Sequence, residues 1–315
     1  MMKGFSLWTR AVRAPFFTAS VVPVLLGAAV AWYQGWSLSW GCLALTLVGA
    51  VAAHAGANLA NDFHDHVGGT DWINRYRSPF NGGAGLIQEG RLSPRTVALA
   101  AGAAYLVGAL AGLALTWLRG WPVLALMLAG AALGVCYTAP PLRLSYRGVG
   151  ELAVGLAFGP LLVLGSYYVQ AGRFSWTPVL ASLPVGFLIT AVLYINQFPD
   201  VEPDRGTGKD NWVVRLGTAR AFWGYCVLVA VPYLAILGTV LSRTLPVPAL
   251  LGLLSLPLAA RAVAVARRHH ADPSLIVPSC ALTVNTHLAT GVLLAVGLVA
   301  GRWLGPVVWW LGLGG

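Results

Sequence analysis

The sequence predicts an all-α, multi-pass membrane protein whose nine helices bundle around a central cavity. Three observations carry that expectation. Of 315 residues, 57% are hydrophobic and 10% charged, with a mean hydropathy of +0.73; a soluble domain carries roughly 25% charged residues. The apolar residues fall into nine runs of about 17–25 residues, the length at which a helix crosses a bilayer core. The few remaining charges are sorted to one side of those runs.

The runs occupy approximately 16–33, 38–60, 96–117, 121–137, 149–169, 177–197, 219–241, 247–263 and 276–300. The first follows Lys3, Arg10 and Arg13 and contains Ala29-Val30-Ala31, which imitates a signal-peptidase site. Eight further spans make an uncleaved first helix the better reading. The second ends in N-L-A-N-D-F-H-D-H-V-G-G-T-D (58–71). The loop after it is about 35 residues, longer than a connector needs, and its S-P-F-N-G-G-A-G core (78–85) reads as a structured cap or lid. Arg143 and Arg147 follow the fourth run, and Glu151 opens the fifth. The sixth ends in Y-I-N-Q-F-P-D-V-E-P-D (194–204). Arg267-Arg268-His269-His270 forms a basic anchor after the eighth, and the tail 303–315 is too short to span, so it is expected at the interface. His54, Asn285 and His287 lie within spans and read equally as interhelical hydrogen-bonding residues, outside the site. The four cysteines are scattered without a C-x-x-C and read as apolar packing. The whole chain, 1–315, is expected to form one transmembrane domain.

With the N-terminus inside, sixteen basic residues fall on the inner side and only Arg119, Arg173, Arg243 and Arg302 on the outer. That bias fixes a cytoplasmic N-terminus and places the chain in the inner (cytoplasmic) membrane. The net charge of +10 then reflects orientation and attraction to lipid headgroups, with no nucleic-acid partner. All ten acids share the inner face, eight of them in the loops after the second and sixth runs. Orientation has little use for acids. A cytoplasmic active site does.

At roughly 100° per residue, Asn58 lies about 40° and Asp65 about 60° to one side of Asp62. His66 lies about 40° to the other side, and Asn61 sits at the edge of that face. Gly68-Gly69 ends the helix, so this arithmetic does not place Asp71. In the second cluster Asn196, Asp200 and Asp204 recur at i, i+4 and i+8, although Pro199 and Pro203 kink or end that helix. Two facing carboxylate–carboxamide surfaces need cations. Hard oxygen ligands select Mg²⁺, which typically bridges carboxylates to substrate phosphates. Asp62, Asp65, Asp71, Asp200 and Asp204 are the expected metal ligands. Basic residues after the first cluster (Arg75 and Arg77), after the fourth run (Arg143 and Arg147) and after the second cluster (Arg205 and Lys209) suit a diphosphate leaving group. His64 and His66 diverge by about 200° on a helix, so a zinc site is not expected.

N-D-F-H-D-H-V-G-G-T-D resembles the first motif of the UbiA-type intramembrane prenyltransferase superfamily, and D-V-E-P-D its second. Y-T-A-P-P-L-R-L-S-Y-R-G-V-G-E-L (137–152), F-G-P-L-L-V-L-G-S-Y-Y-V-Q-A-G (158–172), N-L-A-N-D and V-V-R-L-G are similar to the 1,4-dihydroxy-2-naphthoate branch, which serves menaquinone synthesis. The loop 78–90 departs from that branch. The resemblance implies Mg²⁺-dependent transfer of a polyprenyl group from its diphosphate to an aromatic acceptor. Asp62, Asp65, Asp200 and Asp204 are then catalytic. Asn58, Asn61, Arg75, Arg77, Tyr137, Arg143, Arg147, Asn196 and Lys209 bind substrate, with Tyr137 facing the allylic cation and Arg143 or Arg147 the acceptor carboxylate. The same chemistry on another quinone precursor, a haem or a glycerol-lipid phosphate is the alternative. A transporter is disfavoured, because its ionisable groups would lie near the bilayer midplane. A phospholipid-type phosphotransferase is disfavoured because D-x-x-D-G-x-x-A-R is absent.

Overall fold

The computed structural model describes residues 2–310, and every regular element among them is helical. A short amphipathic helix α1 (Met2–Ala11) leads into nine helices long and apolar enough to span: α2 (Ala14–Tyr33), α3 (Trp40–Gly68), α4 (Pro94–Arg119), α5 (Trp121–Thr138), α6 (Gly150–Ala171), α7 (Trp176–Asn196), α9 (Thr218–Leu241), α10 (Val247–His269) and α11 (Val277–Trp310). A single-turn-and-a-half helix, α8 (Val201–Gly206), follows α7. These bounds match the hydropathy runs to within a few residues except at α3, which projects two turns further, to Gly68, and at α10 and α11, which continue to His269 and Trp310. The α3 extension carries the first aspartates. The tail expected at the interface continues α11 to Trp310, and residues 311–315 lie outside the described residues.

α7 is the centre of the bundle, since no other span is as fully enclosed. Its Ala191, Tyr194 and Ile195 are sealed against α9–α11, and its Ala181 and Val185 against α2 and α6. α6 approaches α7 at Gly159, in a π-helical segment ahead of Pro160. A Cβ at Gly159 would lie 2.7 Å from the Gly186 Cα. Small residues allow such backbone contact in lipid, where helices gain no hydrophobic drive to associate. Trp40, Trp117, Trp121, Trp176 and Trp303 are all exposed at the helix ends opposite the aspartates, the position of an interfacial aromatic belt. His54 takes the interhelical hydrogen bond that competed with a site role, Nδ1 to the Ser20 hydroxyl at 2.9 Å.

Candidate active site

The first aspartate group rides on the projecting end of α3. Asp62 and Asp65 are both buried. Asp62 Oδ2 accepts the Ala84 N–H at 3.0 Å, and its other oxygen pairs with the Arg13 guanidinium. Asp65 accepts the Lys209 ammonium at 2.8 Å and the Tyr146 hydroxyl at 3.4 Å. Asn61 links the two, donating to Asp65 at 3.2 Å and accepting from Arg13 at 3.3 Å. Gly69, at φ 88°, stops α3 and turns the chain into a helical turn, Thr70–Ile73, that buries Asp71 beside the others.

The segment after it threads between the two aspartate groups. Asn74 and Asn81 donate to Asp200 Oδ1 at 2.7 and 2.6 Å, and the Gly82 N–H donates to Oδ2 at 3.2 Å. Two residues later Ala84 binds Asp62, so four residues of one loop grip both aspartate groups. Arg77 folds the loop on itself, donating to the Gly82 carbonyl at 2.7 Å and the Asp71 carbonyl at 2.9 Å. Gly83 has φ +70°, and a Cβ there would lie 2.9 Å from Asp71 Oδ2 and 3.1 Å from Asp62 Oδ1. Only glycine adopts that conformation freely in that space.

The second group is not one helix face. α7 stops at Asn196, Asp200 sits in the following turn (φ −97°, ψ 6°), and Asp204 lies on α8. Pro199 lacks an N–H and its ring clashes with the preceding turn, so the i, i+4, i+8 alignment is broken. Folding restores the convergence by another route. Asp204 accepts Asn211 Nδ2 at 2.7 Å, and Lys209 stands 3.7 Å from Asp204 as well as 2.8 Å from Asp65. One lysine thereby bridges the two groups. Asn196 is buried, and its Oδ1 has no partner.

Asn58, Arg75 and Arg147 fall outside this cluster, while Arg143 and Tyr137 lie at its edge. Asn58 donates to the Val12 carbonyl at 2.9 Å, bracing the junction of α1 and α2. Arg75 is exposed, and Arg147 is exposed and bound to the Pro141 carbonyl at 3.0 Å. Arg143 stacks over the Tyr146 ring, 5.2 Å from its centroid. Tyr137 is half-buried, with its ring against Gly150. Arg13, Asn74, Asn81, Tyr146 and Asn211 also belong to the site, as does Gln88, whose amide donates to Asp71 Oδ2 at 3.4 Å, and none of them is expected from the sequence. Arg13 was absorbed into the basic lead-in, and loop-borne asparagines carry no periodicity that would reveal them.

The sequence matches the UbiA prenyltransferase family over residues 20–277. The chain belongs to that family. Among relatives, it is 32% identical over 292 residues to the 2-carboxy-1,4-naphthoquinone phytyltransferase of Synechocystis sp., covering 92% of each chain. It is 35% identical over 278 residues to the 1,4-dihydroxy-2-naphthoate octaprenyltransferase of Mycobacterium tuberculosis, covering 87% of this chain and 91% of that one. A solved UbiA homolog from Archaeoglobus fulgidus, bound to GPP and Mg²⁺, superposes with a TM-score of 0.62 at 17% identity, covering 93% of this chain and 99% of that one. A UbiA homolog from Aeropyrum pernix superposes at 0.65 and 16% identity, covering 88% of this chain and 97% of that one. These two show that the fold is shared.

Electrostatics make this UbiA-family site short of positive charge. Five carboxylates (Asp62, Asp65, Asp71, Asp200 and Asp204) share it with three cations, Arg13, Arg77 and Lys209. Burial, reinforced by Asp65 and Asp62, pushes the Asp71 carboxyl up to about 7. Burial, with Asp200 and Asp65 adding to it against Lys209, pushes Asp204 up to about 7, and burial also raises Asp200. Lys209 runs the other way. Burial alone would lower its ammonium, but Asp65 and Asp204 outweigh burial and hold it above its usual range. Among the described residues no three His, Cys, Asp or Glu side chains converge closely enough to hold a metal as they stand. The reason is visible: Arg13 and Lys209 stand against Asp62 and Asp65. The donor set, all hard oxygen, and the excess of five carboxyl groups over three cations fit a divalent cation such as Mg²⁺.

Proposed function

We propose that this chain transfers a polyprenyl group from polyprenyl diphosphate to 1,4-dihydroxy-2-naphthoate in menaquinone biosynthesis, with Mg²⁺ required. The carrying observation is the convergence of two aspartate groups, from α3 and from the α7–α8 turn, on one loop and one lysine. Family membership and the naphthoate activities named for its relatives support the acceptor class. Asp62, Asp65, Asp71, Asp200 and Asp204 would hold Mg²⁺, which supplies positive charge to the diphosphate as the allylic C–O bond ionises. Lys209, Arg77 and Arg13 orient the diphosphate and neutralise it. The loop 74–85 covers the site and excludes water from the allylic cation. Tyr137 presents its π face to that cation. The excess of basic residues on the aspartate side supports a cytoplasmic N-terminus and active site in the inner membrane.

Arg143 is engaged on the Tyr146 ring and Arg147 on the Pro141 carbonyl, so neither stands free to meet an acceptor carboxylate. That favours, as a second reading, the same transfer to a quinone precursor lacking a carboxylate. Purified protein given labelled polyprenyl diphosphate, Mg²⁺ and a panel of acceptors tests both. The expected result is a prenylated naphthalene and released diphosphate, both abolished by EDTA. If no acceptor is prenylated and no diphosphate appears, the proposal fails.

A further inference from the structure

Glu151, the first acidic residue of α6, is 1% exposed. Its Oε1 accepts two hydrogen bonds at 3.0 Å, from Gln197 Nε2 and from the Trp212 N–H. Its Oε2 is buried with no partner. A carboxylate oxygen left unpaired in a protein interior carries a large desolvation penalty, and such groups are rare. The Gln197 Oε1 and the Tyr194 hydroxyl beside it are also unpartnered. Among the described residues no cation pairs with Glu151, whereas Arg13 and Lys209 stand against Asp62 and Asp65. Its supports tie it to the diphosphate side of the site. Trp212 holds Glu151 while the preceding residue, Asn211, holds Asp204 at 2.7 Å, and the half-buried Tyr137 ring packs on the adjacent Gly150. An acceptor hydroxyl lying along Tyr137 would supply the missing donor.

We propose that Glu151 is the general base for the aromatic acceptor, taking the proton of its hydroxyl as the ring attacks the prenyl group. This rests on the prenyl-transfer reading above. The allylic C–O bond breaks with its electron pair leaving on diphosphate. The ring carbon forms the new C–C bond to the prenyl C1, and the acceptor O–H proton passes to Glu151 Oε2, leaving a ring ketone. Loss of the substituent on the alkylated carbon, as CO₂ or as H⁺ taken by the released diphosphate, returns its bonding pair to the ring. The oxygen then recovers its proton from Glu151.

Glu151→Gln separates this role from a structural one, because the amide oxygen keeps both Oε1 bonds. General bases contribute about 10²–10⁴-fold, so prenyl transfer to a neutral phenolic acceptor should fall at least about 100-fold in kcat. The KM for the donor, and diphosphate release to water without acceptor, should change less than about threefold. The deficit should shrink below about tenfold with a nitro- or halogen-substituted acceptor whose hydroxyl is already ionised. A variant with normal transfer would make Glu151 a water-linked structural carboxylate and overturn the proposal. So would a deficit that ignores acceptor acidity, or an equal loss of diphosphate release. Absence of transfer in the unaltered protein refutes the parent reading, and this one with it. That failure appears before any substitution is made.

Discussion

Lys209 occupies the position that a metal ion would contest, and replacing it with methionine should change metal affinity and turnover in opposite directions. Its ammonium lies 2.8 Å from Asp65 and 3.7 Å from Asp204, with the side chain 11% exposed. Unit charges about 4 Å apart interact by roughly 4 kcal/mol at an effective dielectric of 20. Removing one member of a buried pair costs about 3–5 kcal/mol. Because the Lys209 side chain keeps 11% exposure, the lower figure applies, about 3 kcal/mol. At about 1.4 kcal/mol per factor of ten, that is on the order of 100-fold in any equilibrium that restores the charge. Lys209→Met protein should therefore melt earlier than wild type without Mg²⁺. It should bind Mg²⁺ about 100-fold more tightly without donor, yet turn over at least about tenfold more slowly, because the diphosphate has lost an ammonium. Calorimetric Mg²⁺ titration of detergent-purified protein, beside a labelled-donor assay, reads both quantities. A folded Lys209→Met variant binding Mg²⁺ no better than wild type would refute the competition.

Three further outcomes follow from the same geometry. Asp71 and Asp204 are pushed up to about 7 by burial, so the metal-free fold holds protons that the unfolded chain releases near pH 4. Its stability should fall as pH rises from about 4 to 7 and then level off. Mg²⁺ should flatten that slope in thermal melts, and the Mg²⁺ needed for half-maximal activity should rise as pH drops below about 7. Asn81→Ala removes the 2.6 Å bond to Asp200 and the 3.0 Å bond to the Tyr76 carbonyl. At about 1.5–3 kcal/mol for a hydrogen bond to a charged group, limited proteolysis should accelerate within the loop 74–85 and donor KM should rise about tenfold or more. Gly159→Leu forces α6 off α7 and should cost about 1–3 kcal/mol of stability. Gly165→Ala, whose Cβ meets nothing nearer than Leu126 at 3.9 Å, should melt like wild type.

The spans were legible because hydropathy is a property of segments, and lipid imposes it on every helix that crosses. Asp62, Asp65 and Asp200 were legible for a related reason. In a chain with ten acids, those kept at helix ends stand out. The helical projection placed Asp62 and Asp65 on one face because α3 continues past both. It failed for Asn196, Asp200 and Asp204 because it assumed a helix that Pro199 ends. It also misdirected Asn58, which shares the angle of Asp62 but lies one turn deeper, where the Val12 carbonyl intervenes. Arg13 was hidden by its company, since a basic residue before the first span is expected for orientation alone. Its left-handed backbone (φ 52°) and its pairing with Asp62 are features of the fold alone. Loop contacts such as Asn81 to Asp200 join residues 119 positions apart. Neither helical nor strand periodicity encodes such a pairing.

The two stand-in cations explain why so acidic a site folds at all. Five carboxylates crowded at a membrane helix terminus would repel one another by several kcal/mol if all were ionised. The protein limits this by protonation at Asp71 and Asp204 and by internal ion pairs at Asp62 and Asp65. In the proposed reaction, a diphosphate arriving with its metal removes the need for both. The carboxylates would then hold Mg²⁺, and Arg13 and Lys209 would pass from aspartate to phosphate oxygens. Each cation exchanges one anionic partner for another, so the step costs little net charge separation. Because Lys209 serves Asp65 from one half of the chain and Asp204 from the other, donor binding at either group is felt at both. Neither motif alone has that property, and it requires the bundle that brings them together.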